Sequence, residues 1–172
     1  MVNIKFKKLD PKATLPQAMT GGAAGLDLVC LNRIAVTPNR WSSKAAIVRT
    51  GLAMELPNGY YAEVVLRSST GRDTKLRLAN QVGIIDSDYR GEIMLYVENL
   101  GDHLEIIDAG QRIAQLLIHK IEEVVIEETT DDLSKTERGL ESGSTGKCTK
   151  PVVRVKRAVV RVKRAEEVTK DA

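Results

Sequence analysis

Between Gly83 and Gly91 the chain reads Gly-Ile-Ile-Asp-Ser-Asp-Tyr-Arg-Gly, which puts two carboxylates, a phenol and a guanidinium into one short segment. The glycines at its ends permit tight turning. A carboxylate held in such a turn can take a proton from a water and so act as a general base. Read alone, the segment is a polar hairpin turn between two apolar strands. A second group is Arg67-Ser68-Ser69, placed directly after an apolar segment. One guanidinium and two hydroxyls at a strand end suit phosphate oxygens, although alone the triplet is an ordinary loop. A third is Gly143-Ser144-Thr145-Gly146, whose hydroxyls and backbone N–H groups could wrap phosphates as an anion-binding nest or could simply link. It is not a Walker-type phosphate loop, because the Gly-Lys-[Ser/Thr] ending and a following helix are missing.

These groups need a scaffold, and the sequence supplies strands. Val2, Ile4 and Phe6 alternate with Asn3, Lys5 and Lys7, the pattern of a half-buried strand. Residues 26–30, 45–49 and 51–56 follow as short apolar segments. Pro57-Asn58-Gly59 signals a turn into a buried strand at 60–66. Residues 92–97, 103–107, 112–118 and 121–126 continue the series, with turns at Gly101-Asp102 and Asp108-Ala109-Gly110. Such spacing predicts an all-β sandwich or closed barrel. Residues 111–120 also fit a helix, but their neighbours and length assign them to strand. With aromatics at 3% and Phe6 the sole phenylalanine, the core must be built from Val, Ile, Leu and Met.

The chain divides by charge. Residues 147–172 hold nine Lys/Arg and three Asp/Glu and carry +6, whereas the rest holds 17 basic and 20 acidic side chains and carries −3. That asymmetry reads as an appended basic tail on a mildly acidic body. Three regions follow: a β-barrel over 1–126, a polar, Gly/Ser-rich flexible arm over 127–146, and a tail over 147–172. The tail repeats Val-Val-Arg-Val-Lys-Arg-Ala at 152–158 and 159–165, giving either a solvated basic extension, an added hairpin or an arm that binds polyanions weakly. Cys30 and Cys148 match no metal-ligand spacing, and Cys30 reads as a small buried thiol. His103 and His119 lack a Cys or Asp partner at ligand spacing, Trp41 reads as a surface-loop or packing residue, and the acidic run at 127–132 as a solvated face. No apolar run approaches the ~20 residues of a membrane span, and the basic start is not followed by a signal-like apolar stretch, so a cytoplasmic protein without membrane contact is expected.

Taken together, the motifs say more than any one of them. In order the chain shows Ala24-Gly25-Leu26-Asp27-Leu28, Arg67-Ser68-Ser69, the segment from Asn80 to Gly91, Gly110-Gln111-Arg112-Ile113-Ala114-Gln115, and Arg138-Gly139 with Gly143-Ser144-Thr145-Gly146. Over about residues 1–146 this resembles the trimeric deoxyuridine triphosphatase family, with its five motifs in sequence. The resemblance implies a dUTPase-like barrel or jelly roll of short strands and a homotrimer with sites between subunits. It implies hydrolysis of dUTP to dUMP and pyrophosphate. Asp86 would activate the water that attacks the α-phosphorus. Tyr89 would stack on the deoxyribose and exclude a 2′-OH, and Asn80, with the backbone of Gly83 and Ile85, would read uracil. Arg67, Ser68, Ser69 and Gln115 would bind phosphates, with Arg138, Ser144 and Thr145 closing over them. Mg²⁺ would sit mainly on the triphosphate, its waters held by Asp27.

One departure stands out. The family's last motif usually carries a Phe just before Gly-Ser-Thr-Gly, whereas Ser142 precedes Gly143 here and the spacing from Arg138 to Gly143 is one residue shorter. Two rivals share the fold: a weakly catalytic or non-catalytic nucleotide-binding regulator, and a dCTP deaminase. The deaminase needs a Glu on the strand after the Asp…Gly turn, and Tyr96 stands at that position while Glu92 and Glu98 fall elsewhere.

Overall fold

The computed structural model describes residues 2–134. The sequence assignments to Arg138, Ser144, Thr145, Cys148 and the tandem repeat lie outside the described residues.

Eleven strands and one short helix follow in order: β1 (Lys5–Lys8), β2 (Leu26–Val29), β3 (Ile34–Val36), β4 (Ala46–Arg49), β5 (Leu52–Glu55), β6 (Tyr60–Leu66), α1 (Ser68–Asp73), β7 (Leu76–Leu78), β8 (Gly83–Ile85), β9 (Met94–Asn99), β10 (Glu105–Ile107) and β11 (Arg112–Lys120). The fold is all-β, as expected. Its strands form a four-stranded sheet β2-β11-β6-β8, a three-stranded sheet β4-β9-β7 and the pairs β1-β5 and β10-β3. Every ladder is antiparallel.

The core is aliphatic, because the sequence has almost nothing else to bury. Leu28, Leu52, Leu76, Ile107, Ile113 and Leu116 are fully enclosed. In β6, Ala62 and Val64 turn inward while Tyr61, Glu63 and Val65 are half-buried on the other face, the period of two that a pleated strand requires. β11 breaks that alternation at its start, where Ile113 and Ala114 are both buried. The register against β2 shifts between Arg112 and Ala114, so an extra residue is accommodated there by a bulge.

Three sequence expectations need correction. Residues 121–126 are not a strand. The last ladder-like contact is the Ile121 N–H donating to the Gly59 carbonyl at 2.8 Å, after which Val124, Val125 and Ile126 are 76%, 96% and 93% exposed. Glu122 and Glu123 interrupt the apolar run, and among the described residues no strand lies beside it to take its hydrogen bonds. The segment from Gly83 to Gly91 is not a hairpin turn. β8 pairs with β6, and β9 pairs with β4 and β7, so the loop crosses from one sheet to another. Arg67-Ser68-Ser69 follows the strand, as expected, but is not an ordinary loop, because Ser68 opens α1.

Trp41 is a surface residue, 60% exposed, with the Arg40 guanidinium 5.4 Å from its ring centre. Cys30 is buried, as expected, and its thiol donates to the Asn32 carbonyl at 2.9 Å.

Candidate active site

One group of the singled-out residues gathers where β2, β6 and β11 meet. Gln115 pairs with Asp27 across the β11–β2 ladder. Asp27 is buried, and its Oδ2 accepts from Arg112 Nη1 and is ion-paired with Arg67 Nε, each at 3.1 Å. A buried carboxylate is tolerable only when paired in this way. Arg67 also donates from Nη1 to the Arg112 carbonyl at 3.2 Å. With one carboxylate between two guanidiniums, the cluster keeps a net positive charge for an incoming anion. Gly25 belongs to it by what it lacks: a Cβ there would run into the Gln115 side chain.

The short helix α1 is pinned to the same place. The Arg67 N–H and the Thr70 hydroxyl both donate to the Ile113 carbonyl, each at 3.0 Å, so the bulged start of β11 holds both ends of the turn. Arg67, Ser69, Gly110, Gln111 and Arg112 line an open cavity of about 380 Å³ there. Ser68 is exposed at the start of α1.

A second group lies on the other side of β6. Asn80, Gly83, Ile85 and Tyr89 line one cavity of about 240 Å³. Asn80 opens a tight turn in which the Val82 N–H reaches back to the Asn80 carbonyl at 2.6 Å, with Gln81 between them at φ 60°. A non-glycine residue held there carries local backbone strain, a feature that clusters at functional sites. Asp86 follows β8 directly and is exposed, and the Tyr89 N–H closes the next turn onto its carbonyl at 3.1 Å. Arg90 braces the loop from within, donating to the carbonyls of Ser87 at 2.6 Å and Tyr89 at 3.0 Å. The Tyr89 hydroxyl donates to the Glu92 carbonyl at 3.0 Å.

The structure therefore brings the predicted residues together in two sets, and the two cavities share no lining residue. Sequence reasoning did not assign Arg112, Glu92, Met94 or Tyr96 to the site. Arg112 was within a quoted motif, but its carboxylate partner is set by the bulge. Met94 and Tyr96 line the second cavity from β9. Their place two apart on one strand was legible, but the packing that brings β9 of one sheet and β8 of another around one cavity was not. Among the described residues no three His, Cys, Asp or Glu side chains come together as a metal site. His119 instead stacks on Tyr61, 5.1 Å between ring centres, with Nε2 3.0 Å from Glu63.

The all-β body thus carries a compact pocket at one place and a guanidinium cluster at another. Comparison with known proteins is specific. The family model described as dUTPase matches residues 11–147. The deoxyuridine 5'-triphosphate nucleotidohydrolase of Chlamydia trachomatis serovar L2 is 38% identical over 146 residues, covering 83% of this chain and 98% of the relative. That of a Hydrogenobaculum species is 41% identical over 137 residues, covering 80% and 92%. Among solved structures, a dUTPase mutant of Staphylococcus bacteriophage 80alpha with dUpNHpp superposes with a TM-score of 0.73 at 25% identity, over 84% of this chain and 98% of that one. A dUTPase mutant from phage phi11 of S. aureus, solved to describe coordination of a structural Mg(II) ion, gives 0.65 at 20% identity, over 75% and 97%. The chain belongs to the dUTPase family.

Proposed function

We propose that this protein hydrolyses dUTP to dUMP and pyrophosphate, with Asp86 as the general base, in a site built between the subunits of a homotrimer. The observation that carries this reading is the cavity lined by Asn80, Gly83, Ile85 and Tyr89 beside the Asp86 loop. At about 240 Å³ it is smaller than the roughly 300–1,000 Å³ of sites that enclose a drug-sized ligand, and so it suits a base and its sugar, not a whole triphosphate.

Each residue has a role that its chemistry allows. The Asn80 amide offers a donor and an acceptor, and with the backbone of Gly83 and Ile85 it matches the edge of uracil. Cytosine would set its amino donor against a donor, and an unpaired polar group in a pocket is a strong source of rejection. Tyr89 packs against the deoxyribose and leaves no room for a 2′-OH. Asp86 takes the proton of a water as that water attacks the α-phosphorus in line, and pyrophosphate leaves with its electron pair. Arg67, Ser68, Ser69 and Gln115 hold phosphate oxygens, joined in this reading by Arg138, Ser144 and Thr145. Tyr96, where a deaminase would need Glu, supports hydrolysis over deamination.

The residues also fit Mg²⁺ that arrives with the nucleotide. Both guanidinium bonds to Asp27 converge on Oδ2, which leaves Oδ1 to accept from a metal-bound water. Bound to the phosphates, Mg²⁺ would offset charge that moves onto the leaving oxygens.

The separation of the two residue sets supports the composite site. Ile85 pairs with Ala62, so Asp86 lies toward the start of β6, whereas Arg67 follows its far end. The five residues from Ala62 to Arg67 span roughly 16 Å of strand. That separation favours a site in which two copies of the chain supply the two sets to one nucleotide. The direct test is pyrophosphate release from dUTP. We expect dUMP and pyrophosphate in equal amounts and no deoxyuridine product from dCTP. Absence of dUTP turnover, or deamination of dCTP, would overturn the reading.

A further inference from the structure

Glu92 follows the Asp86 loop, and its side chain is only 12% exposed. Every hydrogen bond in its neighbourhood points to anchoring. Arg49, at the end of β4, grips both carboxylate oxygens: Nε lies 3.2 Å from Oε1 and 2.9 Å from Oε2, and Nη2 lies 2.8 Å from Oε2. The Gly51 N–H donates to Oε1 at 2.8 Å. Gly51 sits at φ +68°, where a Cβ would also press on Ala13 and Leu31, so the turn that presents this N–H depends on glycine. The adjoining backbone is tied to the same turn, with the Ile93 N–H donating to Leu52 at 2.7 Å and the Thr50 hydroxyl to the Ile93 carbonyl at 2.6 Å.

This anchored residue is the one whose carbonyl receives the Tyr89 hydroxyl. The phenol lies so close over Gly91 that a Cβ there would collide with its hydroxyl and Cζ atoms. Tyr89 in turn closes its own N–H onto the Asp86 carbonyl. A continuous path of contacts thus runs from Arg49 through Glu92 to Tyr89. The Glu92 carboxylate has its oxygens committed to Arg49 and Gly51, which suits it to holding a neighbour and not to touching substrate. An ion pair with a half-exposed partner adds little stability by itself, so positional control is the larger consequence of breaking it.

We propose that Glu92, held by Arg49, is a positioning residue that fixes the Tyr89 ring against the sugar and thereby sets discrimination between deoxyribose and ribose nucleotides. This rests on the reading of Tyr89 as the sugar-facing group. The test is kcat/KM for dUTP and for UTP in the full-length wild type and in Arg49→Met, Arg49→Lys, Glu92→Gln and Tyr89→Phe. Tyr89→Phe keeps the ring and deletes only its anchor. The preference for dUTP should fall about tenfold in Arg49→Met, in Glu92→Gln and in Tyr89→Phe, the scale of a small misplacement of a positioning group. Arg49→Met with Tyr89→Phe should lose no more than either alone, because both cut the same path. Arg49→Lys should restore part of the preference. Arg49→Met should keep its kcat on dUTP within a few-fold, so that the change appears as added UTP turnover. If Arg49→Met does not fold, Tyr89→Phe, at a position 42% exposed, carries the test. An unchanged dUTP preference in the folded variants of a discriminating wild type overturns the proposal. A wild type that does not cleave dUTP, or cleaves UTP equally well, sinks the underlying reading instead.

Discussion

Ile85 faces Ala62 in the β6–β8 ladder, and Arg67 stands five residues beyond Ala62, just past the end of β6. One strand therefore separates the residue that would activate water from the residues that would hold phosphate. Asn80 and Tyr89 on one side and the anion cluster on the other open onto different cavities of one chain, with Asp86 exposed beside the first. A second copy of the chain is the simplest source of the missing half of each site, and closed rotational symmetry would give every copy an equivalent one.

Asp86→Asn keeps the shape of the exposed residue after β8 and removes its proton affinity. Steady-state kinetics should show kcat falling by ~10²–10⁴-fold, the usual worth of a positioned general base, with KM changed much less. Near-normal turnover would remove Asp86 from the chemistry.

Among the described residues, Asp27 is the anion that pairs with both guanidiniums at the bulged start of β11. Asp27→Ala leaves Arg67 and Arg112 facing each other without it. Urea unfolding should show a loss of about 1.5–3 kcal/mol, the range for hydrogen bonds to charged groups. An unchanged midpoint would mean that the cluster does not hold β2, β6 and β11 together.

Much of this scaffold was legible in the sequence, and the failures have physical causes. β6 matched its expected limits because a turn with Gly59 at φ +80° delimits a continuous run that a two-sided sheet can bury. β3, β7 and β8 have three residues each, too few for a period of two to declare itself. Residues 121–126 were apolar enough to suggest a strand, but strands need partners, and composition does not state pairing. The same gap explains the Asp86 loop, whose residue types announced chemistry while its route between sheets stayed hidden. Asn80, Gly83, Ile85 and Tyr89 were named together by motif and found together around one cavity. Arg112 and Glu92 were not, because their roles come from a bulge and from a distant turn.

Burial pushes the Cys30 thiol above its ordinary range. The folded chain then keeps a proton that the unfolded chain releases first. Stability should be unaffected below the ordinary thiol range and should fall as pH rises through it toward the higher folded value. Urea midpoints across the alkaline range should decline more steeply for wild type than for Cys30→Ala. Equal slopes would contradict this. Alkylation mapped by mass spectrometry should likewise find Cys30 protected until the protein unfolds.

The basic tail lies beyond every residue assigned to the reaction. A chain ending at Gly146 should cleave dUTP within a few-fold of the full-length rate. It should also lose any retention on heparin, since what remains carries −3. Retention of the intact protein should weaken steeply with salt, as phosphate contacts do. Loss of catalysis on truncation would make the tail part of the site.

Complementation between two disabled variants tests the account most directly. Asp86→Asn lacks the base, and Ser68→Glu sets a carboxylate at the exposed start of α1, where phosphate oxygens would lie. Each should be inactive alone. If each nucleotide takes Asp86 from one copy and Ser68 from another, co-refolding equal amounts should restore about a quarter of the sites, the outcome of random mixing in a closed homo-oligomer. Activity should appear only after subunits have exchanged. A mixed preparation, shown by light scattering to contain hybrid oligomers, with no more pyrophosphate release than either variant alone would contradict the shared site.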